Sequence, residues 1–243
     1  RCFHIMRQRI SGTYTRTKRI RILARYVKRA YKLYNSGAYP QATYGAQAYG
    51  LDITSVMQLR AMAHLAVSSD ARGQCAGTNL CLTLGHKHDP IVKCAITQLQ
   101  SWFDMIKHHR PDMVRLSKAW ADTKNHVLSA QGRTNKWGRV KGPMGATIAT
   151  LHDMLWNPIH PFAWADHEGK VWDINYDVGH SKILAHATRW LISIVWRNAA
   201  LHHNGDGLQQ GCDTTMIRRH LNSLHNQGRH SEAALLQCIA ASG

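Results

Sequence analysis

The amino-acid sequence predicts a mainly α-helical fold of bundle-like helical segments, with one small β-hairpin near residues 162–174. Apolar residues recur at spacings of three and four along most of the chain, which is the pattern of a buried helix face. Helix-start signals such as Asp89-Pro90 precede several of these runs. Residues 162–174 instead combine short apolar stretches with a turn-like segment from Asp166 to Gly169, which favours a hairpin.

The first predicted helix is amphipathic, is about twenty residues long and ends at Gly37 and Pro40. Its apolar residues share one face, and basic residues form a stripe on the other. The apolar face would be Ile20, Leu23, Ala24, Val27, Tyr31 and Tyr34, and the basic stripe would be Arg21, Arg25, Lys28 and Lys32.

The remaining elements follow from the same patterns. The later helices are predicted to begin after Asp52, at Asp89-Pro90 and at Pro111, and to continue with 148–155, 183–195, 213–225 and 231–241. Asn157-Pro158 should end the 148–155 helix, because the residue before a proline disfavours helical geometry. In the hairpin, the first strand contains Phe162 and Trp164 and the second contains Val171 and Trp172.

Residues 130–142 interrupt the helical pattern with glycines, basic residues and Trp137. This composition predicts a basic, glycine-rich linker. It would separate a basic helical domain at 1–129 from a smaller, mainly helical domain with the hairpin at 143–243.

Charge is distributed unevenly along the chain. The first acidic residue is Asp52, and eleven of the 31 Lys and Arg precede it. With 14 acidic residues in all, the formal net charge is +17, which favours a polyanionic partner, either nucleic acid or an anionic membrane surface. The longest apolar run, Trp190 to Trp196, is far shorter than the ~20 residues that a transmembrane helix needs.

The N-terminus begins at Arg1 rather than Met and has no apolar stretch typical of a signal peptide. We therefore expect a piece of a longer reading frame and an intracellular protein, in the nucleus or cytoplasm, that is not secreted. A mitochondrial transit peptide is an alternative interpretation of the Arg-rich, acid-poor start.

Two segments are predicted to contact nucleic acid. Lys and Arg on one helix face can neutralise successive phosphates, although a solvated helix face is the alternative. The 130–142 segment combines basic residues with Trp137, which could stack on a base, although a plain linker fits equally well. The predicted contact residues are Lys18, Arg19, Arg21, Arg25, Lys28, Arg29, Lys32, Arg133, Lys136, Trp137, Arg139 and Lys141.

The seventeen histidines raise the possibility of a metal site. Three groups stand out: His86/His88/Asp89, His202/His203/Asp206 and Cys212/His220/His225. None has a recognised zinc-ligand spacing, and the six cysteines form no Cys-x-x-Cys pair, so neither a metal nor another cofactor is predicted. A Cys/His nucleophile pair stays open, because such pairs meet in the fold rather than in the sequence.

Several segments resemble the region downstream of the catalytic palm in reverse-transcriptase-like proteins of non-LTR retroelements. The likeness spans most of the chain and is most specific in residues 16–90. The segments are Arg16-Thr-Lys-Arg-Ile-Arg through Lys32, Gly37-Ala-Tyr-Pro40, Tyr44-Gly-Ala-Gln-Ala-Tyr-Gly-Leu51, Leu59-Arg60, Arg72-Gly73, His88-Asp89-Pro90, Trp156 with Pro161-Phe162, and Ala234-Leu-Leu236 with Ala240-Ala-Ser-Gly243.

The resemblance implies that the chain is the thumb and connection of an RNA-directed DNA polymerase, and that residues 1–129 are thumb-like. Its partners would be RNA and/or DNA, as a template–product duplex, and an upstream palm domain of the same parent protein. The parent would continue past Gly243 into a Cys/His-rich, zinc-knuckle-like segment. A polymerase palm holds two metals with adjacent aspartates, but the chain contains no Asp-Asp or Asp-x-Asp. This would be a non-catalytic part.

Two other classes of protein remain as alternatives. One is a His-rich, metal-dependent enzyme. The other is a basic helical interaction or structural module whose charged helix binds protein or membrane.

Overall fold

A computed structural model describes residues 2–24, 26–27, 29–68, 73–129, 135–174, 179–203 and 205–242. The mainly α-helical fold is confirmed, and its small antiparallel sheet has three strands within the described residues. Among those residues, no helix combines the length and the apolar character that crossing a membrane requires.

Eleven α-helices lie within the described residues. In chain order they are α1 (Cys2–Ala24), α2 (Tyr39–Thr43), α3 (Ala46–Tyr49), α4 (Ile53–Val67), α5 (Ala76–Thr83), α6 (Pro90–His109), α7 (Met113–Leu128), α8 (Pro143–Asp153), α9 (His180–Ala200), α10 (Thr215–Asn226) and α11 (His230–Ser242). A π-helical turn, Tyr34–Ala38, precedes α2, and short 3₁₀ helices occur at His86–His88, Asn135–Arg139 and Leu208–Gln210.

The sheet extends the predicted hairpin by one strand. Strand β2 (Ala163–Ala165) pairs antiparallel with β3 (Val171–Asp173), with Trp164 opposite Trp172. Strand β1 (Asn157–His160) pairs with the other edge of β2. Asn157-Pro158 therefore begins a strand rather than ending a helix. Helix α8 already ends at Asp153, and Leu155, the last residue of the predicted helix, is exposed with a positive φ of 63°.

The chain divides into two compact units, and each is discontinuous in sequence. Unit 1 comprises Arg1–Thr43, Ser55–Lys93 and Trp190–Gly243, and unit 2 comprises Tyr44–Thr54 and Cys94–Arg189. The observed division differs from the predicted one, because the described part of the predicted linker, residues 135–142, lies within unit 2 rather than between two domains.

Helix α1 departs from the predicted first helix in both its ends and its buried face. It ends at Ala24, where the Leu23 carbonyl accepts from the Tyr26 and Val27 amides. Gly37 lies inside the π-helical turn and Pro40 inside α2, so neither ends a helix. Proline is tolerated there because it follows a turn whose hydrogen-bond register already departs from that of an α-helix.

The buried face of α1 is formed by Met6, Ile10, Thr13, Thr17 and Ile20. The Thr17 hydroxyl donates to the Thr13 carbonyl at 2.9 Å, and the Thr13 hydroxyl donates to the Arg9 carbonyl. These bonds satisfy both hydroxyls within the helix and allow the two threonines to be buried. Leu23 and Val27, predicted to face the core, are instead 40 % and 48 % exposed.

Unit 2 has a core rich in tryptophan. Trp102, Trp120, Trp156 and Trp164 are all almost completely buried. Two of them bond to the proline-containing strand region, since Trp102 Nε1 donates to the Pro161 carbonyl and Trp120 Nε1 to the Pro158 carbonyl. These bonds satisfy the polar edges of buried rings and attach α6 and α7 to the sheet.

The predicted linker is only partly within the described residues, since 130–134 lie outside them. The part that is described is a packed 3₁₀ turn rather than an open linker. The Lys136 amine lies 2.6 Å from the Asp153 carboxylate, and Trp137 Nε1 donates to the same carboxylate at 2.8 Å. Lys136 and Trp137 are each 3 % exposed, so this turn is part of the folded unit.

Candidate functional site

A basic cleft in unit 1 is the strongest candidate site. Its cavity volume is about 790 Å³. Five basic side chains line it: Arg29, Lys32, His88, Lys93 and Arg218. We refer to the cavity with these residues as the basic cleft.

The first wall of the basic cleft comes from residues 29–36. Backbone bonds from Lys32 to Arg29 and from Leu33 to Ala30 turn the chain after α1. The segment is anchored by Tyr34, which is completely buried and whose hydroxyl donates to the Leu59 carbonyl of α4 at 2.7 Å. The tyrosine anchor therefore holds Lys32 and Asn35, which flank it in the chain, at the cavity.

The second wall is helix α10. Its apolar residues Leu221 and Leu224 are buried with Leu82 of α5 and Ala233 of α11. Arg218, Asn222 and Asn226 line the cleft and are spaced four residues apart, so they share one face of the helix. Burial of the leucines therefore orients the Arg218 face towards the cavity.

The third wall is the start of α6. Asp89 caps this helix by accepting from the Ile91 amide at 2.9 Å, and it also pairs with Arg60 at 2.9 Å. One turn later, the Lys93 amine lies 4.0 Å from the centre of the Tyr39 ring. The buried cap and the ring contact fix where the Lys93 charge lies.

The charged side chains described at the basic cleft are all positive. Among the described residues, no Asp or Glu lines it, and none forms an ion pair with Arg29, Lys32 or Arg218. Burial lowers the pKa of His88, and the neighbouring Lys93 charge lowers it further. Burial raises the pKa of Tyr31, although Arg29 and Arg218 act in the opposite direction. The tyrosine is therefore a neutral phenol beside two guanidinium groups near neutral pH.

Two features of the first wall, residues 29–36, are unusual. Arg29 has a positive φ of 68°, a conformation that costs about 1–3 kcal/mol in a residue other than glycine. The side-chain oxygen of Asn35 is buried and has no hydrogen-bond partner among the described residues. A strained arginine and an unsatisfied buried amide in one cavity are typical of a binding site rather than of inert surface.

The residues predicted to contact nucleic acid from the first helix fall into three groups. Arg29 and Lys32 line the basic cleft, and Arg21 lines an adjoining cavity. Lys18 and Arg19 are exposed on α1 outside both cavities, and the Lys18 amine lies 4.6 Å from the Tyr14 ring centre. Arg25 and Lys28 lie outside the described residues. The two stripe residues that are described, Arg21 and Lys32, do not share one helix, because α1 ends at Ala24.

The residues predicted from 130–142 do not form a joint surface in the part that is described. Lys136 and Trp137 are buried in unit 2, so their role as phosphate and base contacts is corrected to a packing role. Arg139 is exposed and donates to the His126 carbonyl and the Ser129 hydroxyl, which caps the end of α7. Lys141 is exposed, and Arg133 lies outside the described residues.

Sequence reasoning missed Lys93, Arg218 and His88 as site residues. A signal existed for Arg218, because α10 is strongly amphipathic and has Arg218, Asn222 and Asn226 on one polar face. Nothing local connects that face with Arg29 or Lys32, which are distant in sequence.

A buried Cys/His pair does occur in unit 1. Cys81 Sγ lies 3.0 Å from His86 Nε2, and the Trp196 ring packs against the imidazole. Burial raises the pKa of the Cys81 thiol, and burial together with Arg218 lowers the pKa of His86. Both shifts favour the neutral forms and oppose the thiolate–imidazolium pair that a nucleophilic cysteine needs. The pair is best explained by packing.

The histidine groups suggested by the sequence do not form a metal-binding cluster in the described part of the chain. There, no three or more His, Cys, Asp or Glu side chains are arranged so that they could hold a metal ion. Comparison with protein-family models, with curated proteins and with solved structures finds no match for this chain. The resemblance to retroelement proteins therefore rests on the quoted sequence segments alone.

Proposed function

We propose that this protein binds the phosphate backbone of nucleic acid, RNA or DNA, in the basic cleft of unit 1. The observation that carries the proposal is the convergence of Arg29, Lys32 and Arg218 on one cavity without an acidic partner among the described residues. Positive charge in a concave, low-dielectric wall focuses the electric field outwards and attracts a polyanion. Phosphates that enter release their counterions, which favours binding.

The polar side chains of the basic cleft also suit a sugar–phosphate backbone. Asn35, Asn222 and Asn226 line it beside the cations. The exposed Asn222 and Asn226 amides can donate to phosphate oxygens and accept a hydrogen bond from a ribose hydroxyl. Phosphate and sugar contacts position a nucleic acid without reading its sequence. The proposed binding is therefore independent of base sequence.

The salt dependence of binding tests this proposal. A fluorescently labelled RNA–DNA duplex is titrated at several salt concentrations with the wild-type chain and with the triple variant Arg29→Gln, Lys32→Gln, Arg218→Gln. Three phosphate contacts contribute about −2.7 to the slope of log affinity against log salt. We expect the triple variant to lose most of that contribution to the slope. The loss should be similar for duplexes of unrelated base sequence.

A control variant with the same change in charge is available in unit 2. Arg115, Lys118 and Lys182 are all exposed, and none lines the basic cleft. Replacing these three by Gln should leave the slope close to wild type. Equal loss in both triple variants would mean that binding follows net charge, and the basic cleft would not be the site.

We further propose, from the sequence resemblance, that this binding belongs to the thumb and connection of a retroelement reverse transcriptase. The polymerase palm would then lie upstream in the same parent protein. A primer-extension assay with magnesium or manganese should show no template-dependent incorporation by this chain alone, because it contains no Asp-Asp pair. Incorporation that co-purifies with the chain would contradict this assignment, whereas an Asp-Asp motif in the upstream reading frame would support it.

A further inference from the structure

A second cavity in unit 1 adjoins the basic cleft. Its volume is about 420 Å³, within the ~300–1,000 Å³ range of small-ligand sites. Arg29, Tyr31, Thr83, Arg218 and Asn222 line both cavities, so the two cavities lie next to each other. We refer to the second cavity as the apolar recess, because its inner wall includes Val67, Leu82 and Leu221.

The floor of the apolar recess is rigidly organised. Gln237 of α11 donates from one amide nitrogen to the Val67 carbonyl and to the Asn79 side-chain oxygen, at 3.1 and 2.7 Å. Asn79 in turn donates to Gln74, which also accepts from the Ser68 hydroxyl. A connected buried network of this kind holds α11 against α4 and α5. The recess is therefore a preformed space.

The mouth of the apolar recess carries aromatic rings and positive charge. Tyr26 is 82 % exposed, and the His225 and His230 rings lie with their centres 5.6 Å apart. Arg21, Arg29 and Arg218 also line the recess, and among the described residues no carboxylate does. This lining suits a ligand that has an apolar body and an attached anion.

We propose that the apolar recess binds one unpaired nucleobase of a single-stranded nucleic-acid segment, while the phosphates next to that base lie in the basic cleft. Aromatic surface beside a positively charged groove is the general arrangement for single-strand binding. The base would enter beside Tyr31 and lie against Leu221 and Val67. This inference rests on the proposed function, because the adjoining basic cleft must hold the phosphates.

The test compares a blunt duplex with the same duplex carrying a single-stranded overhang that contains 2-aminopurine. The wild-type chain should bind the overhang probe about tenfold tighter, which corresponds to one stacked base. The 2-aminopurine fluorescence should rise on binding, because the base leaves its stacked neighbours for the wall of the recess. Equal affinity for the two probes, with unchanged fluorescence, would overturn the inference even if the blunt duplex binds as proposed.

A matched pair of variants on α11 localises the effect. Ala234 lines the apolar recess and is exposed, so Ala234→Trp should fill the space without disturbing the core, and Ser231→Trp should do the same. Leu235→Trp is the control, because Leu235 is 62 % exposed and lines neither cavity. Only the recess variants should lose the tenfold preference while keeping their affinity for the blunt duplex.

Other outcomes separate the two proposals. If the basic-cleft triple variant keeps its salt slope on blunt duplex, the proposed function fails and the inference fails with it. If the recess variants retain the overhang preference, only the inference fails. Vesicles containing phosphatidylserine are tested in parallel. If a recess variant loses vesicle binding but keeps the overhang preference, the recess binds an acyl chain. That result would overturn the proposal that it binds a nucleobase.

Discussion

At the residue scale, Gly50 lies where the backbone of unit 2 passes the Trp137 ring. Its φ is +69°, and a Cβ added there would overlap the ring and approach the Ala146 side chain. Trp137 in turn donates to Asp153, so the glycine, the ring and the carboxylate form one packed arrangement. A residue with a side chain cannot occupy position 50 without moving the tryptophan.

We predict that Gly50→Ala destabilises the protein by about 1–3 kcal/mol, the usual cost of overpacking a core. The new methyl group has no space beside Trp137, and the positive φ is unfavourable for alanine. Urea denaturation followed by circular dichroism measures the change. Gly138→Ala is the control, since no atom lies within 4 Å of a Cβ at Gly138. Equal stability of the Gly50 variant and wild type would contradict the described contact.

Asp166 holds the turn of the hairpin. Its side chain is completely buried and accepts from Trp172 Nε1 at 2.9 Å and from the Glu168 and Lys170 amides, and His186 Nε2 lies 3.0 Å away. Burial alone would raise the pKa of Asp166, but these hydrogen bonds outweigh it and the pKa is lowered. The ionised form is therefore bound more favourably by the folded state than by the unfolded chain.

We predict that Asp166 makes stability depend on pH in the acid range. Because its folded-state pKa lies below the ordinary value of 3.8, its contribution is fully present above that value. The contribution disappears as the pH falls through the lowered pKa. Urea unfolding from neutral to strongly acid pH should show a gap between wild type and Asp166→Asn that narrows in acid. Asp122→Asn, at an exposed carboxylate, is the control for loss of one charge.

At the scale of single elements, α1 has a buried face and an exposed face, and they contribute differently to the stability of the fold. Met6, Ile10 and Ile20 are buried, whereas Ile22 and Leu23 on the same helix are 58 % and 40 % exposed. The threonines between the buried residues lose little by burial, because their hydroxyls bond to carbonyls one turn earlier. The exposed face of α1 therefore carries both charged and apolar side chains.

We predict that Ile10→Ala costs about 2–5 kcal/mol, because it removes a buried side chain and leaves a cavity. The matched control is Leu23→Ala on the same helix, which should change stability by less than about 0.5 kcal/mol. Both are measured by chemical denaturation. If Leu23→Ala is the costlier change, the face predicted from the periodicity is correct and the observed one is not.

At the scale of the whole molecule, each compact unit is assembled from segments far apart in the chain. Unit 1 needs the segment Trp190–Gly243 as well as the N-terminal residues, and unit 2 needs Tyr44–Thr54 beside Cys94–Arg189. The basic cleft itself combines residues 29–36 with α6 and α10. A cut anywhere near the middle of the sequence removes part of both units.

We predict that the fragments 1–129 and 143–243 do not fold separately. Each would lack a large part of the unit to which it contributes, and its exposed apolar surface would have no partner. Far-ultraviolet circular dichroism during urea titration tests this, with the intact chain as control. A sharp, cooperative unfolding transition in either fragment would show that a boundary at 130–142 is a true domain boundary.

Much of the helical fold was predictable because its signals are local. Helix α6 begins at the Asp89-Pro90 cap and buries Leu99, Trp102 and Phe103 at helical spacing, as its sequence indicates. The turn between Phe162–Trp164 and Val171–Trp172 indicated the hairpin, and Trp164 and Trp172 pair across it. Caps, periodicity and turn residues act within a few positions of each other, so they can be recognised without the rest of the chain.

The site was only partly predictable, because convergence and burial are long-range properties. The sequence by itself determined an excess of positive charge, and it placed Arg29 and Lys32 in its most basic segment. Only the tertiary structure decided that α10 brings Arg218 to that charge, and that Lys136 and Trp137 turn inwards to Asp153. A basic or aromatic residue looks the same in sequence whether it meets solvent or a buried carboxylate. The free energy that separates the two outcomes comes from packing between segments distant in the chain.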